Sequence, residues 1–414
     1  MPDVVTKVTK QGWFSRLGGS IKGIFIGILL FLVSFGVLFW NEGRYDFSKM
    51  AKDAIPISSE QLNTDAAMNG KLVSVAGKLT TGEQLGDGLY LQPGDYISLV
   101  RNVEVYAWVE NSSSESETNL GGSETTTTTY TYSKEWVNDA ADHSTFEEPG
   151  GHENEDKSIP DADFKVNSAK VGVYDLNIAQ LSLPGPQTLS LSKEMLTFEM
   201  PDVEARMPDD MVFSDFFDDE EDTTVDLESK LRLEGTMYIF SGTGTLADPQ
   251  IGDMRISYQV VPNNIEGTLF GKLDGSKITS YADKDNNKLY RFFSGSADDA
   301  VVTLHGEFKM ALWLFRILGF LMMWIGLSMI FAPIGVLADV IPFLGSISRS
   351  ALKFATFVIS FILSVITIIV SAILHSWIAL LVIAVLGAGF TYWYLKMKGQ
   401  KVGAKKPEAA TPAE

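Results

Sequence analysis

Cysteine is absent from all 414 residues. That excludes disulfides, thiolate zinc sites and a cysteine nucleophile. Histidine is nearly absent too: His143, His152, His305 and His375 are the four, and they lie far apart in the chain. The G-x-S-x-G, G-x-x-x-x-G-K-[ST], H-E-x-x-H and G-x-G-x-x-G patterns are missing. Nucleophile-elbow, phosphate-loop, zincin and dinucleotide chemistry therefore have no support in the sequence. Basic residues are the scarcer sign, with 33 Lys+Arg against 52 Asp+Glu. A net charge of −19 argues against a nucleic-acid partner.

Charge is also missing from the middle of four apolar stretches. The first runs from Gly23 to Trp40. The second helix is taken as 312–338, with its uncharged run from Ile317 to Ala338. Phe354–Leu374 and Trp377–Leu395 follow. A helix rises about 1.5 Å per residue, so roughly 20 residues cross a ~30 Å hydrocarbon core. The sequence predicts a membrane α+β protein. Four transmembrane helices, one N-terminal and three C-terminal, enclose a large β-rich extramembrane domain at 41–309. A signal peptide fits the first stretch less well, because no A-x-A site follows it.

Lysine and arginine set the orientation. Lys7, Lys10, Arg16 and Lys22 precede the first span; Arg349 and Lys353 lie between the second and third; Lys396, Lys398, Lys401, Lys405 and Lys406 follow the fourth. The positive-inside rule makes residues 1–22, the linker 339–353 and the tail 396–414 cytoplasmic. Outside 41–309 lie 12 bases and 4 acids, which leaves that segment 21 bases, 48 acids and a net charge of −27. It is read as the translocated domain, large enough to build its own core.

Within it, Asp253–Val261 alternates apolar Met254, Ile256, Tyr258 and Val260 with polar neighbours. Asn102–Glu110 does the same through Val103, Val105, Ala107 and Val109. A period of two marks half-buried strands. Shorter strands are expected at Lys71–Ala76, Thr188–Leu191, Thr236–Phe240 and Lys288–Phe293. Gly70–Val75 and Gly252–Ser257 look faintly alike. Two insertions interrupt the pattern. Asn111–Thr129, with five consecutive threonines, reads as a mobile loop or a long solvated hairpin. The acidic stretch 209–228 reads as a solvated loop rather than a calcium site. Asp283-Lys-Asp285-Asn-Asn287 opens like an EF-hand but has Lys288 and Ser294 where Gly and Glu belong. No metal or cofactor is expected, and His152 is read as hydrogen-bonding in a loop.

The spans carry no internal charge and no paired helix breaks, which disfavours transport. Pro333 is a single kink, and the hydroxyls of Ser360, Ser364 and Thr367 suit helix contacts. Gly19, Gly23 and Gly27 recur every fourth residue and are expected to pack against another helix. That helix is either in a second copy or in the chain's own three-span bundle. The third and fourth spans, joined by His375-Ser376, must form a tight hairpin, and Val340–Ser350 is expected along the cytoplasmic interface.

Several local motifs resemble those of the LUMA family, also called the transmembrane protein 43 family. Asn41-Glu42-Gly43-Arg44 is similar to its N-E-G-R. Arg101-Asn-Val-Glu104-Val-Tyr106-Ala-Trp108 is similar to R-x-V-E-M-Y-x-W. Tyr130-Thr-Tyr132-Ser-Lys-Glu135-Trp136 resembles Y-x-Y-x-x-E-W, and Gly151-His152-Glu-Asn154 resembles G-H-x-N. Gly252-Asp253-Met-Arg255-Ile-Ser257 resembles G-D-x-R-x-S, and Asp339-Val-Ile-Pro342 resembles D-x-x-P. The layout agrees over nearly the whole length. The resemblance implies a non-enzymatic, self-associating protein of membrane organisation or envelope integrity, in contact with lipid, other copies (a homo-oligomer) and other membrane proteins. Animal members imply the endoplasmic reticulum and inner nuclear membrane, with lamina components and emerin as partners. The Ser/Thr loop, the acidic insertion and the lack of cysteine would equally suit a bacterial inner-membrane relative with a periplasmic domain. The alternative is a membrane-tethered enzyme with a carboxylate site in the translocated domain.

Overall fold

A computed structural model describes residues 3–198, 231–339 and 342–402. The acidic stretch 209–228 lies outside the described residues. β1 (Val4–Gln11) leads into α1 (Trp13–Glu42), α2 (Phe47–Lys52) and β2 (Ile55–Ile57). Next come β3 (Leu72–Thr80), the long β4 (Tyr96–Thr118) and β5 (Glu124–Val137). Shorter strands follow: β6 (Ala162–Lys165), β7 (Ala169–Val171), β8 (Tyr174–Leu176) and β9 (Gln187–Thr188). Beyond these are β10 (Leu231–Glu234), β11 (Tyr238–Ser241), β12 (Met254–Pro262) and β13 (Ile265–Asp274). β14 (Lys277–Thr279), β15 (Tyr281–Ala282), β16 (Lys288–Leu289) and β17 (Arg291–Ser294) complete the strands. The chain then enters α3 (Ala297–Ala338), α4 (Pro342–Leu374) and α5 (Trp377–Val402).

Two compact units result. One comprises Met1–Thr9, Asp46–Ser116 and Thr126–Gly306, and it is β-rich. Its smaller sheet closes on itself: β13 pairs β14, then β8, β7 and β3, and β3 returns to β13. Closure removes strand edges. Val73, Val75, Val171, Tyr174, Leu269, Leu273, Ile278 and Phe292 fill the interior with no exposure. The larger sheet runs β1-β5-β4-β12-β11-β10. The two alternating stretches form β4 and β12, paired antiparallel from Met254↔Val105 onward. Val103, Val105, Ala107, Met254, Ile256, Tyr258 and Val260 are buried as the alternation predicts. Gly70 and Gly252 precede β3 and β12 at φ of 84° and 89°. The faint likeness of their segments thus marks the same left-handed entry into a strand. Of the shorter expected strands, Thr188–Leu191 is strand only as far as Thr188, and Lys288–Phe293 divides between β16 and β17. In α2, the Asp46 carboxylate caps the Ser48 N–H. Met50 and Ala51 pack there with Phe270, Phe293 and, from the first turns of α3, Ala300 and Leu304.

The other unit comprises Lys10–Tyr45, Glu117–Thr125 and Glu307–Glu414. Three helical stretches of the described residues, Trp13–Lys52, Ala297–Ala338 and Ser350–Leu374, are long and apolar enough to cross a membrane. A fourth crossing by the 26-residue α5 is not among them. Residues 342–353, expected as part of an interfacial linker, are helical and run straight into the span within α4. Asn111–Thr129 is a hairpin of β4 and β5. Ser114 bonds Thr128 and Ser116 bonds Thr126 across it.

Candidate functional site

The motif residues gather in two places. In the β-rich unit, the cross-strand pair Glu104–Arg255 closes at 2.6 Å. The Arg255 guanidinium lies over Trp136 at 4.7 Å and Tyr238 at 4.9 Å. A cation held over two ring faces is attracted by both quadrupoles. Trp136 also meets Tyr106 at 5.2 Å. Further along β4, Trp108 meets His152 edge-on at 4.7 Å, and Tyr132 stacks on the imidazole at 3.9 Å. His152 is 1% exposed, and its Nδ1 bonds the Glu148 carbonyl. The Tyr132 hydroxyl donates to Glu110 and accepts from the Glu148 N–H. Asn154 accepts from the Trp108 N–H and donates to its carbonyl. That side chain therefore acts as a short extra strand on β4.

Asp253 gathers three backbone donors, from Thr243, Gly244 and Gln250, and so builds the β11–β12 turn. A Cβ on Gly242, whose φ is 149°, would strike its carboxylate. Gly151, at φ 81°, donates to Glu153. Glu135 is exposed and accepts from Ser133. It does not join His152.

Arg101 points into the core and pairs with Asp87 at 3.0 Å. Asp87 also accepts from the backbone N–H groups of Leu89, Tyr90 and Leu91 and from the Tyr258 hydroxyl. Burial pushes its carboxyl up, but the donors at Leu91, Tyr258, Leu89 and Tyr90 outweigh that and hold it below the usual range. Burial and the bond to Asp87 push the Tyr258 hydroxyl up. The sequence reading missed Asp87. Its signal was the Gly86-Asp87-Gly88 turn upstream of a strand arginine.

In the helical unit, Gly27 packs α1 onto α3: a Cβ there would lie 2.7 Å from the Gly326 carbonyl oxygen. Gly23 reaches Met329 at 3.7 Å, and Gly19 faces open space. The glycine face is thus occupied within the chain at Gly23 and Gly27. At the C-terminal end of α1, beside the middle of α3, Asn41 donates to the Leu312 carbonyl and Glu42 holds Arg316 at 2.8 Å through two bonds. Gly43 lies under the His375 ring, with no room for a side chain. Arg44 lies over Trp40 and Phe315. At the other end Arg16 pairs with Asp339 at 2.8 Å and with Glu124 at 3.0 Å, and it donates to the Gly122 carbonyl. Asp339 is fully buried, and Pro342 opens α4. In α4, Ser371 donates to the Phe39 carbonyl of α1, and Thr367 bonds back to the Leu363 carbonyl.

Three helical stretches long and apolar enough to cross a bilayer, two of them joined by ion pairs in one unit, and a separate aromatic-packed β-rich unit define an integral membrane protein with a large β-rich region. The chain belongs to the transmembrane protein 43 family, whose model matches residues 105–377. It is 25% identical to transmembrane protein 43 of Mus musculus over 384 residues, 88% of this chain and 87% of that one. The Homo sapiens protein is 25% identical over 386 residues, 88% of each chain. The Drosophila melanogaster homolog is 24% identical over 314 residues, 73% of this chain and 74% of its own. No solved structure matches.

Proposed function

We propose that this protein is a non-enzymatic, self-associating membrane scaffold that supports membrane organisation or envelope integrity. The observation that carries this reading is His152. It is the motif residue best suited to acid–base chemistry, yet it is buried between Tyr132 and Trp108. A packed imidazole of this kind fixes the hairpin root to its loop.

The arrangement includes α5 as a fourth span, because α4 and α5 are separated by only His375 and Ser376. The β-rich unit lies on the translocated side, luminal or periplasmic. Lys10–Arg16, the α3–α4 connection and the C-terminal tail lie in the cytoplasm. Since α3 occupies the Gly23–Gly27 face, self-association uses another surface. Light scattering of the protein in mild detergent tests the reading. We expect a discrete oligomer, and a monomer would sink it.

A further inference from the structure

We propose that a cleft between α3 and α4 holds one acyl chain of an anionic phospholipid, whose phosphate binds Lys353. Lipid binding here is independent of self-association. The cleft lies wholly within the helical unit and has a volume of about 180 Å³. Phe331, Ala332, Gly335 and Val336 line it from α3, and Leu352 from α4. With Ser328, the α3 residues recur at the three- and four-residue spacing of a single helix face.

The other polar groups along the cleft are already satisfied. At the end farther from the α3–α4 connection, the Ser328 and Thr356 hydroxyls meet at 3.0 Å. Thr356 donates to the Lys353 carbonyl at 3.0 Å, and so does the Trp324 indole N–H at 3.3 Å. What remains is a hydrocarbon-lined slot with one free polar group, the Lys353 ammonium. That side chain is exposed and has no partner among the described residues. Water in such a slot would find few polar partners, so hydrocarbon is the occupant its walls accept.

Depth decides what the ammonium meets. Lys353 is the last charge before the uncharged run that begins at Phe354, and Lys22 is the last before the run from Gly23. Both stand at one level of α3, because Gly23 faces Met329 and Thr356 bonds Ser328. Counting back along α1 and α4 from those contacts puts both lysines beside Ile330 and Phe331. The two helices begin at this same end of the unit, and long side chains lean toward a helix's N-terminus. The ammoniums therefore reach outward from the hydrocarbon toward the level of Gly335, where a headgroup phosphate sits above its chains.

Charge selects the headgroup. α4 contains no acid, and the acid that follows α3, Asp339, is buried against Arg16. A choline or ethanolamine ammonium thus meets no exposed carboxylate on these helices at this level. A headgroup of net negative charge meets Lys353 directly and the field of Lys22 as well.

The test uses the full chain, purified in mild detergent and freed of co-purifying lipid. Phosphatidylglycerol and phosphatidylcholine with identical chains are added, and bound lipid is counted by native mass spectrometry. The parent is expected to bind one phosphatidylglycerol in preference to phosphatidylcholine. Lys353→Gln, at an exposed position, should weaken phosphatidylglycerol about fivefold, the effect of one basic residue at an anionic surface, and leave phosphatidylcholine unchanged. Ala332→Trp fills the cleft and should abolish the preferred site with Lys353 still present. Ala332→Leu, a smaller filler, should weaken it, and thermal unfolding checks that each variant is folded. Equal binding of the two lipids by the parent overturns the proposal, and so does Lys353→Gln with parental affinity. A folded filler variant that keeps the site overturns the cleft as its location. The number of copies in the same spectra bears on self-association alone.

Discussion

Arg16 and Asp339 stand 323 residues apart in sequence and 2.8 Å apart in space. Glu42 and Arg316, at the far end of α1 and midway along α3, repeat the distance with the charges exchanged between the two helices. The pair of bridges makes α1 antiparallel to the second half of α3 and fixes the register at both ends of α1. Each bridge has a member that is almost fully buried: the side chain of Asp339 is 0% exposed and that of Glu42 5%.

Removing one partner of such a pair strands a buried charge, at a cost of about 3–5 kcal/mol. Arg16→Ala should lower the thermal unfolding midpoint in detergent sharply. Arg16→Met combined with Asp339→Leu should recover most of the loss. A double variant as unstable as the sum of its singles would show that the two side chains are not coupled.

The glycine positions should separate by environment. Gly19→Ala meets open space, Gly23→Ala meets only the Met329 methyl at 3.7 Å, and Gly27→Ala meets the Gly326 backbone. Only the last should cost about 1–3 kcal/mol, because backbone cannot yield as a side-chain end can. Equal melting temperatures for all three would remove α3 as the partner.

Asp87 should govern part of the acid response. Its folded carboxyl lies below the ordinary 3.8, so its stabilisation is present above that value and is lost as pH falls through the folded value. Asp87→Asn should lower stability at neutral pH and flatten its dependence below about pH 4. Denaturant titrations of the two proteins across pH 3 to 7 would reveal whether the curves converge in acid.

His152→Ala should cost about 1–3 kcal/mol through the lost stack and its bond to Glu148. The environment of Trp108 should change with it, visible as altered tryptophan fluorescence. A variant with parental stability and fluorescence would contradict the packing role.

Strand positions such as Val103 and Ile256 were legible because one buried and one wet face impose a period of two. Three of the four expected spans were legible because charge is excluded over about twenty residues. The ring closure through the three-residue strands β7, β8 and β14 was not, since such short strands carry no period and their pairing is long-range. The hairpin at 111–129 was visible as a polar insertion, but its anchorage on Arg16 was hidden. Arg16 reads equally well as an orienting flank charge, and nothing local ties it to Gly122 or Asp339. His152 was visible only as a loop residue; its burial depends on Tyr132 and Trp108, which come from two different strands.

The 274 residues separating Glu42 from Arg316 also set a schedule for biosynthesis. At 5–20 residues per second, α3 emerges roughly 14 to 55 s after α1. Throughout that interval Asn41 and Glu42 lack the carbonyl and the side chain that satisfy them in the finished fold, and Arg16 lacks Asp339. The first helix must therefore wait, polar at both ends and glycine-faced along one side, while a whole β-rich unit folds behind it. Completion of the membrane unit is thus a late event, coupled to the arrival of the last third of the chain.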